Sequence, residues 1–291
     1  MARRIREIAV IGLVTLFVVD PVMSVENAGR IPDLSGMWTR PIFGFEQPES
    51  GPGPLHGLRP GRNVGGDENN PILKPEAAAT VKKRNEILRS GVDFPTPSSQ
   101  CMPMAAPYIY RVQEMQVLQE KDQVVLLYMQ DHQVRRVRLN QPHPARLTPT
   151  WHGDSIGHYE GDTLVVDTVG VKVGPYSVVD MYGTPHSGAL HVVERYRLIP
   201  YEAATAALER DVRARILVAA EQAATIDEND KGPGLQIQFT VEDKNIFTTP
   251  WSGAATYRRA DGWVENVCAE NTHEYYRGSS TTVPHADKPD F

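Results

Sequence analysis

Short runs of β-forming residues, separated by two-residue polar breaks, occupy the middle of the chain and constrain its fold more than any other feature. Residues 115–120, 123–130 and 133–140 are rich in Val, Leu, Met and Tyr, and the breaks between them are Lys121-Asp122 and Asp131-His132. Breaks of this kind are typical of the tight turns that join neighbouring antiparallel strands. The pattern therefore predicts a β-meander.

Similar runs extend the predicted sheet on both sides of the meander. Further strands are predicted from Met37-Trp38 onwards and at 155–159, 163–171, 190–199, 235–241, 255–259 and 263–268. So many short strands at close spacing favour an all-β architecture over alternating strands and helices. We expect an antiparallel β-barrel of the lipocalin kind, because a closed meander leaves no edge strands and encloses a ligand-sized cavity. A β-sandwich is the alternative.

Two segments have helical rather than strand-like character. Residues 75–90 combine an early proline and glutamate with strong helix formers, which predicts a surface helix. Residues 201–225 are rich in alanine and contain neither proline nor glycine, which predicts a helical insert. We therefore expect one barrel domain at 31–271, with a loop and helix region at 41–100 and a polar tail at 272–291.

The first 24 residues have the features of a secretory signal peptide. Arg3, Arg4 and Arg6 precede an apolar run at 8–19, and small or apolar residues suited to a cleavage site follow. The run is shorter than the roughly 20 apolar residues that span a bilayer. We expect residues 1–24 to be removed and the mature protein to be periplasmic or secreted, without a membrane span. An uncleaved anchor is the alternative.

The charge and the motifs of the chain exclude several function classes. A formal net charge of −6 argues against nucleic acid or an anionic membrane as a partner, because both require a basic face. The chain has no glycine-rich nucleotide-binding pattern, so we expect no nucleotide cofactor. Even spacing allows His152, Asp154 and His158 to share one face of an extended strand. No established metal-binding pattern accompanies them, and we expect no metal site.

The two cysteines of the chain are far apart in sequence. In an oxidising compartment, Cys101 and Cys268 are expected to form one disulfide that joins the start of the folded core to its end. Two buried free thiols are the alternative. A zinc site would need histidines at close spacing to the cysteines, and none flanks either of them.

Several motifs of the chain resemble those of a known group of proteins. They are P-T-W-x-G-x-S-I-G-x-x-E-G-D-T-L-V-V-D-T at 149–168, P-H-S-x-A-L-H-V-V-E-R at 185–195, E-x-V-C-x-E-N at 265–271, D-L-S-G-x-W at 33–38 and C-x-P-x-x-x-P at 101–107. The set resembles a large group of secreted bacterial proteins of unassigned function. The resemblance implies a shared fold and paired cysteines, but no particular activity. The helical segment 201–225 departs from the group, in which a short turn is usual.

A serine nucleophile is one interpretation of the segment around Ser155. Gly153 and Gly157 flank it in a G-x-S-x-G pattern, and Asp167 and His186 follow in the order found in α/β-hydrolases. The nucleophile elbow requires a helix after the serine, whereas a β-hairpin is predicted here. The alternative is that the glycines permit a bend and Ser155 bonds to the backbone.

Acid–base chemistry is the favoured interpretation. Glu194 alternates with Val192 and Tyr196, and Asp167 alternates with valines, so both carboxylates are expected to point into the barrel. Burial would move their pKa values towards neutrality, where they could transfer protons with His186. We therefore predict His186, Glu194 and Asp167 as catalytic residues. Pairing of each carboxylate with Arg111 or Arg195 for structural reasons alone is the alternative.

Aromatic and polar residues near the central motif are candidates for ligand binding. Aromatic rings at loops and strand ends suit stacking against a flat apolar ligand. The candidates are Tyr108, Tyr110, Trp151, Tyr159 and Tyr176, with His158 and Asp154 as polar contacts. The sequence thus predicts a cofactor-independent lyase or isomerase for a small hydrophobic or aromatic compound. A non-catalytic carrier of such compounds is the competing hypothesis.

Overall fold

A computed structural model describes residues 31–41, 44–57, 65–91, 94–111, 114–213, 226–263 and 267–268. These residues form nine strands, which are β1 (Gly36–Thr39), β2 (Glu114–Gln119), β3 (Gln123–Tyr128), β4 (Gln133–Leu139), β5 (Asp154–Glu160), β6 (Thr163–Val169), β7 (His191–Ile199), β8 (Gly234–Glu242) and β9 (Trp251–Arg259). Two α-helices accompany them, α1 (Pro75–Arg89) and α2 (Tyr201–Arg213). The predicted signal peptide and polar tail lie outside the described residues.

The nine strands form a closed barrel in sequence order. Each strand pairs with the next, and β9 closes the ring by pairing with β1, with Trp38 opposite Arg259. Closure confirms the predicted barrel and excludes the sandwich. The turns of the predicted meander lie where the polar breaks indicated, with Gln119 opposite Val124 and Tyr128 opposite Gln133.

One strand pair differs from the antiparallel arrangement that the sequence predicted. β4 and β5 run parallel, with Val137 opposite Ser155 and Leu139 opposite Gly157. A closed ring of nine strands cannot alternate direction at every step, because nine is odd. Parallel neighbours also need a crossover connection rather than a hairpin. Residues 140–153 supply that connection, and they return the chain to the end of the barrel where β4 begins.

Large aromatic side chains fill the barrel interior. Strands such as β4 alternate between buried and exposed residues, as a half-buried sheet requires. The fully buried set includes Trp38, Tyr128, Tyr196, Phe239 and Tyr257. The Phe239 and Trp251 rings form a T-shaped pair, with ring centroids 5.9 Å apart. Side chains therefore occupy much of the space that a wider barrel would leave for a ligand.

Both predicted helices are present where the structure describes them. α1 begins with Pro75, whose fixed φ suits a first turn, and it buries Ala77, Val81 and Asn85. α2 covers residues 201–213 of the predicted insert, and residues 214–225 lie outside the described part. No helix within the described residues is long and apolar enough to cross a membrane.

The predicted disulfide is present, but its surroundings differ from the expectation. Cys101 and Cys268 are bonded, with Cα atoms 5.4 Å apart. The last strand ends at Arg259, and neither Trp263 nor Cys268 belongs to a strand. The backbone N–H of Cys268 instead donates to Asp131 Oδ1 at 2.7 Å. The bridge therefore joins Cys101 to Cys268, and a hydrogen bond holds Cys268 at the turn between β3 and β4.

Candidate functional site

A buried cluster of polar side chains crosses the barrel interior; we call it the inner cluster. Arg135 of β4 and Glu194 of β7 form its centre, with side-chain exposures of 1% and 0%. Arg135 Nη1 donates to Glu194 Oε1 at 2.9 Å, and Nη2 contacts Oε2. The guanidinium also donates to Thr168 Oγ1 at 2.6 Å and to Ser155 Oγ at 3.0 Å. Glu194 therefore points inward, as its alternation with apolar neighbours predicted.

Two tyrosines complete the inner cluster. Tyr196 donates its hydroxyl to Glu194 Oε1 at 2.7 Å, and the Tyr110 hydroxyl contacts the same oxygen. Tyr110 lies in a short 3₁₀ turn, Tyr108–Arg111, directly before β2. The predicted ligand residue Tyr110 is thus bound to Glu194, and the predicted partners Arg111 and Arg195 are replaced by Arg135.

Burial and hydrogen bonding have opposite effects on the pKa of the Glu194 carboxyl. Burial raises the pKa of Glu194 to about 8, and the hydrogen bond from Tyr196 lowers it. An arginine side chain keeps its charge, so a protonated Glu194 would leave a buried cation uncompensated. We therefore assign an ionised pair. An ionised Arg135–Glu194 pair has the arrangement of a structural ion pair rather than of an acid–base catalyst.

The structure places Asp167 on the outer surface of the barrel, so the prediction that it points inward is wrong. Thr168, the next residue, contacts Glu194 Oε2 at 3.4 Å inside the barrel, and neighbours on a strand face opposite sides. Asp167 accepts from His191 Nε2 at 3.1 Å and lies 3.0 Å from His143 Nε2. Its position across the sheet from Glu194 means that the two carboxylates do not share a site.

A chain of charged groups surrounds Asp167 on the outer surface; we call it the outer chain. His143 Nδ1 lies 2.6 Å from Asp154 Oδ2, and Arg138 contacts the same carboxylate. At the other end, His191 Nδ1 lies 3.6 Å from Glu242 Oε2. The hydrogen bond with Asp167 raises the pKa of His191 and lowers that of Asp167. The predicted ligand contact Asp154 is therefore a member of an ion-pair network.

The remaining histidines of the central motif are separated. His158 is exposed and contacts Glu160 at 3.0 Å on the outer surface, away from the predicted ligand site. His152 interacts with the buried Arg135 and with the Met104 backbone, whereas Asp154 and His158 have their contacts on the outer surface. Burial lowers the pKa of His152 to about 4. The three side chains therefore do not share one face.

The structure does not bring together the residues of the serine hydrolase interpretation. The Ser155 hydroxyl is buried in the inner cluster, where it contacts Arg135 Nε and Thr168 Oγ1, both at 3.0 Å. Neither partner can act as a general base for the serine. His186 contacts Ser187 instead. The alternative interpretation holds only in part: Gly153, with φ +71°, permits a bend, but Ser155 bonds to side chains rather than to the backbone.

A groove lies at the end of the barrel where β4 and β5 begin; we call it the rim groove. Its cavity volume is about 20 Å³, within about 320 Å³ of empty space that includes open solvent. One wall comes from residues 97–105 beside the disulfide, and the other from the connections around β5 and β6. Trp151, Lys172, Tyr176 and His186 line it. The structure thus brings together two predicted aromatic residues and the predicted acid–base residue His186.

The geometry of His186 makes it a neutral base. Its Nδ1 lies 3.1 Å from the Ser187 carbonyl oxygen, which can only accept, so Nδ1 carries the proton. Burial lowers the pKa of His186 and keeps the ring uncharged at neutral pH. Nε2 therefore keeps its lone pair. Among the described residues, the carbonyl is the hydrogen-bond partner of this imidazole.

Asp243, a residue that sequence reasoning missed, holds the segment beside His186. Its carboxylate accepts from the Ser187 backbone N–H and, at 2.8 Å, from the Ser187 hydroxyl. Asp243 is buried in the turn after β8, and its charge raises the pKa of His186 against the larger effect of burial. The signal in the sequence is slight: a V-E-D-K-N turn placed directly after a clearly alternating strand.

Tyr108 is the remaining predicted ligand residue, and it lies in the core. Its ring is 2% exposed and packs under the Arg111 guanidinium, 5.3 Å from the ring centroid. Within the part of the chain that the structure describes, no group of three or more His, Cys, Asp or Glu side chains has metal-binding geometry. Comparison of the chain with protein-family models, curated proteins and solved structures finds no match.

Proposed function

We propose that the rim groove binds a small, flat, largely apolar compound and that His186 transfers a proton on it. The protein would then be a cofactor-independent lyase or isomerase. The observation that carries the proposal is the neutral imidazole of His186, fixed through Nδ1 by the Ser187 carbonyl in a groove that Trp151 also lines. A neutral imidazole with a lone pair directed at a ligand is the most common general base in enzymes.

The walls of the groove suit an aromatic ligand. Pro97, Met102 and Val178 contribute apolar surface, and Trp151 and Tyr176 contribute rings against which a flat molecule can stack. The enclosed part, about 20 Å³, has room for roughly one water molecule, so a flat ligand would lie mainly in the open part of the groove.

Binding without turnover is the second candidate, and one observation favours it. Among the described residues, no carboxylate contacts the His186 imidazole directly, because Asp243 acts through Ser187. An imidazole that takes up a proton is usually stabilised by a carboxylate on its other nitrogen. A carrier would use the same groove and the same aromatic walls without needing this stabilisation.

Deuterium exchange separates the two candidates even when the product of the reaction is not identified. Small aromatic compounds are first screened by thermal shift, since a ligand at 100 times its Kd adds about 2.7 kcal/mol to the free energy of unfolding. Each compound that binds is then incubated with the protein in D₂O, and proton NMR follows deuterium incorporation at carbon. An enzyme with His186 as base should catalyse incorporation, and His186→Gln should abolish it while binding persists.

The matched control is His158→Gln, which changes an exposed histidine on the outer surface. It should leave both binding and exchange unchanged. Because the pKa of His186 is lowered, exchange should persist below pH 6.5, the ordinary value for histidine. If the wild-type protein binds a compound without catalysing exchange, the enzyme hypothesis is overturned and the carrier hypothesis is favoured. Equal loss of exchange in both variants would contradict the role of His186.

A further inference from the structure

The charge of the rim groove contrasts with that of the protein. The chain has a formal net charge of −6. The described residues that line the groove nevertheless include Lys172 and His186 and no Asp or Glu. Because His186 is neutral, Lys172 is the charged side chain of this lining. The groove is therefore locally positive on a negatively charged protein.

An aromatic ring positions the Lys172 ammonium, but no described carboxylate neutralises its charge. Its Nζ lies over the Trp151 ring, 4.6 Å from the ring centroid. The backbone N–H of Lys172 donates to the Thr150 carbonyl at 2.8 Å, which joins Lys172 to the segment that carries Trp151. No carboxylate of the described residues forms an ion pair with it. A cation that is ordered by a ring loses less conformational freedom when it binds an anion.

We propose that the ligand of the rim groove is a flat apolar or aromatic monocarboxylate whose carboxylate binds Lys172. This inference rests on the proposed function and names the chemical class of its ligand. The apolar part of the ligand lies against the walls that Trp151 and Tyr176 contribute, and the carboxylate lies at the solvent-exposed end where Lys172 is found. One cation matches one negative charge, and the mainly apolar remainder of the lining disfavours a second.

The position of the base agrees with this arrangement. His186 lies on the same groove with a free lone pair on Nε2, so it can accept a proton from a carbon of the bound acid. The resulting imidazolium would face an anionic ligand, which stabilises it in place of the carboxylate that is absent from its first contacts. A neutral ligand would not supply this stabilisation.

A matched pair of ligands tests the charge requirement. 2-Naphthoate and 2-naphthamide share a flat ring system and differ in charge, and their binding is measured by isothermal titration calorimetry at about 0.02 M salt, where ion pairs are weakly screened. Wild-type protein should bind the naphthoate about 5-fold more tightly, the effect of one exposed ion pair. Lys172→Met should bind the two ligands equally.

Lys231→Met is the matched control, because Lys231 also lies over an aromatic ring, 5.1 Å from the centroid of Tyr201, but not in the groove. It should keep the wild-type preference. Equal affinities in the wild-type protein, or a preference that survives Lys172→Met, would overturn the carboxylate assignment while leaving the groove as a binding site. If neither naphthalene ligand binds, the carboxylate assignment fails, whereas the proposed function is decided by the ligand screen and the deuterium exchange.

Discussion

The inner and outer faces of β5, β6 and β7 carry carboxylates in opposite physical situations. Asp154 and Asp167 face outward, where they contact histidines and remain partly exposed, with side-chain exposures of 24% and 38%. Their sequence neighbours Ser155 and Thr168 face inward and contact the completely buried Arg135–Glu194 pair. One step along a strand thus separates a hydrated ion-pair network from a dry one.

The contrast shows how burial decides what a carboxylate contributes. Removing one partner of a buried pair leaves the other charge unsolvated, so the cost is large even where the intact pair adds little stability. Water and salt screen the outer chain, so its contribution is modest and depends on pH. We therefore expect the inner cluster to specify the barrel register and the outer chain to modulate stability.

The largest expected effect comes from Glu194→Gln. The amide cannot neutralise Arg135, whose side chain is 1% exposed, so the variant should lose about 3–5 kcal/mol of unfolding free energy. Asp167→Asn is the matched carboxylate-to-amide change on the outer face and should lose about 1 kcal/mol or less. Urea unfolding at pH 6 measures both. Similar losses in the two variants would contradict the contrast between the faces.

A double replacement distinguishes an unpaired charge from a general packing defect. Arg135→Met combined with Glu194→Leu removes both charges and keeps apolar volume in the interior. This variant should be more stable than Glu194→Gln alone, since no buried charge is left without a partner. If the double variant is the less stable of the two, the pair itself stabilises the barrel beyond its own desolvation cost.

The second effect is a pH dependence confined to the outer chain. The raised pKa of His191 contributes stability that is complete below its unfolded value, near 6.5, and is lost as the pH rises through the folded pKa. The lowered pKa of Asp167 contributes stability that is present above about 3.9 and is lost as the pH falls through the folded pKa. The loss caused by Asp167→Asn should therefore be greatest between about pH 4 and 6.5.

Unfolding free energies of the wild-type protein and Asp167→Asn, measured from about pH 4 to 9, test this window. The difference should stay at about 1 kcal/mol or less, because both side chains are about one-third exposed and solvent screens them. His158→Gln is a control histidine on the same outer face but outside the outer chain. A difference between wild type and Asp167→Asn that grows above pH 8 would contradict the assignment.

The smallest expected effect is that of salt. Raising the salt concentration to about 1 M shortens the screening length to about 3 Å, which should remove most of the loss caused by Asp167→Asn. Buried pairs are screened much less, so the loss caused by Glu194→Gln should stay nearly constant. Repeating the urea unfolding at both salt concentrations gives the comparison. A salt-sensitive Glu194→Gln effect would mean that water reaches the inner cluster.

Local patterns in the sequence determined much of the fold. The two-residue polar breaks predicted the β2–β3 and β3–β4 turns, because a tight turn depends on only a few neighbouring residues. The alternation of Glu194 with Val192 and Tyr196 predicted its inward direction, since the opposite face of β7 carries polar residues. The cysteine pair was likewise predicted, and the structure confirms it.

The direction of Asp167 could not be obtained in this way. β6 buries Leu164, Val165 and Val166 in succession, so apolar residues occupy both of its faces. Alternation identifies the inner face only where the outer face is polar. The inner face of β6 became apparent only from its register with β7, which places Val166 opposite Glu194.

Only the tertiary structure decided which polar groups meet. Arg135 reaches Glu194 across 59 positions of sequence, and Asp243 reaches Ser187 across 56. These contacts depend on barrel closure and on the parallel β4–β5 pair; an odd number of strands requires a parallel pair but does not fix its place. Strand patterns depend on neighbouring residues and are visible in the sequence. The sites depend on the pairing register of all the strands in the closed barrel, and a local sequence pattern does not contain that information.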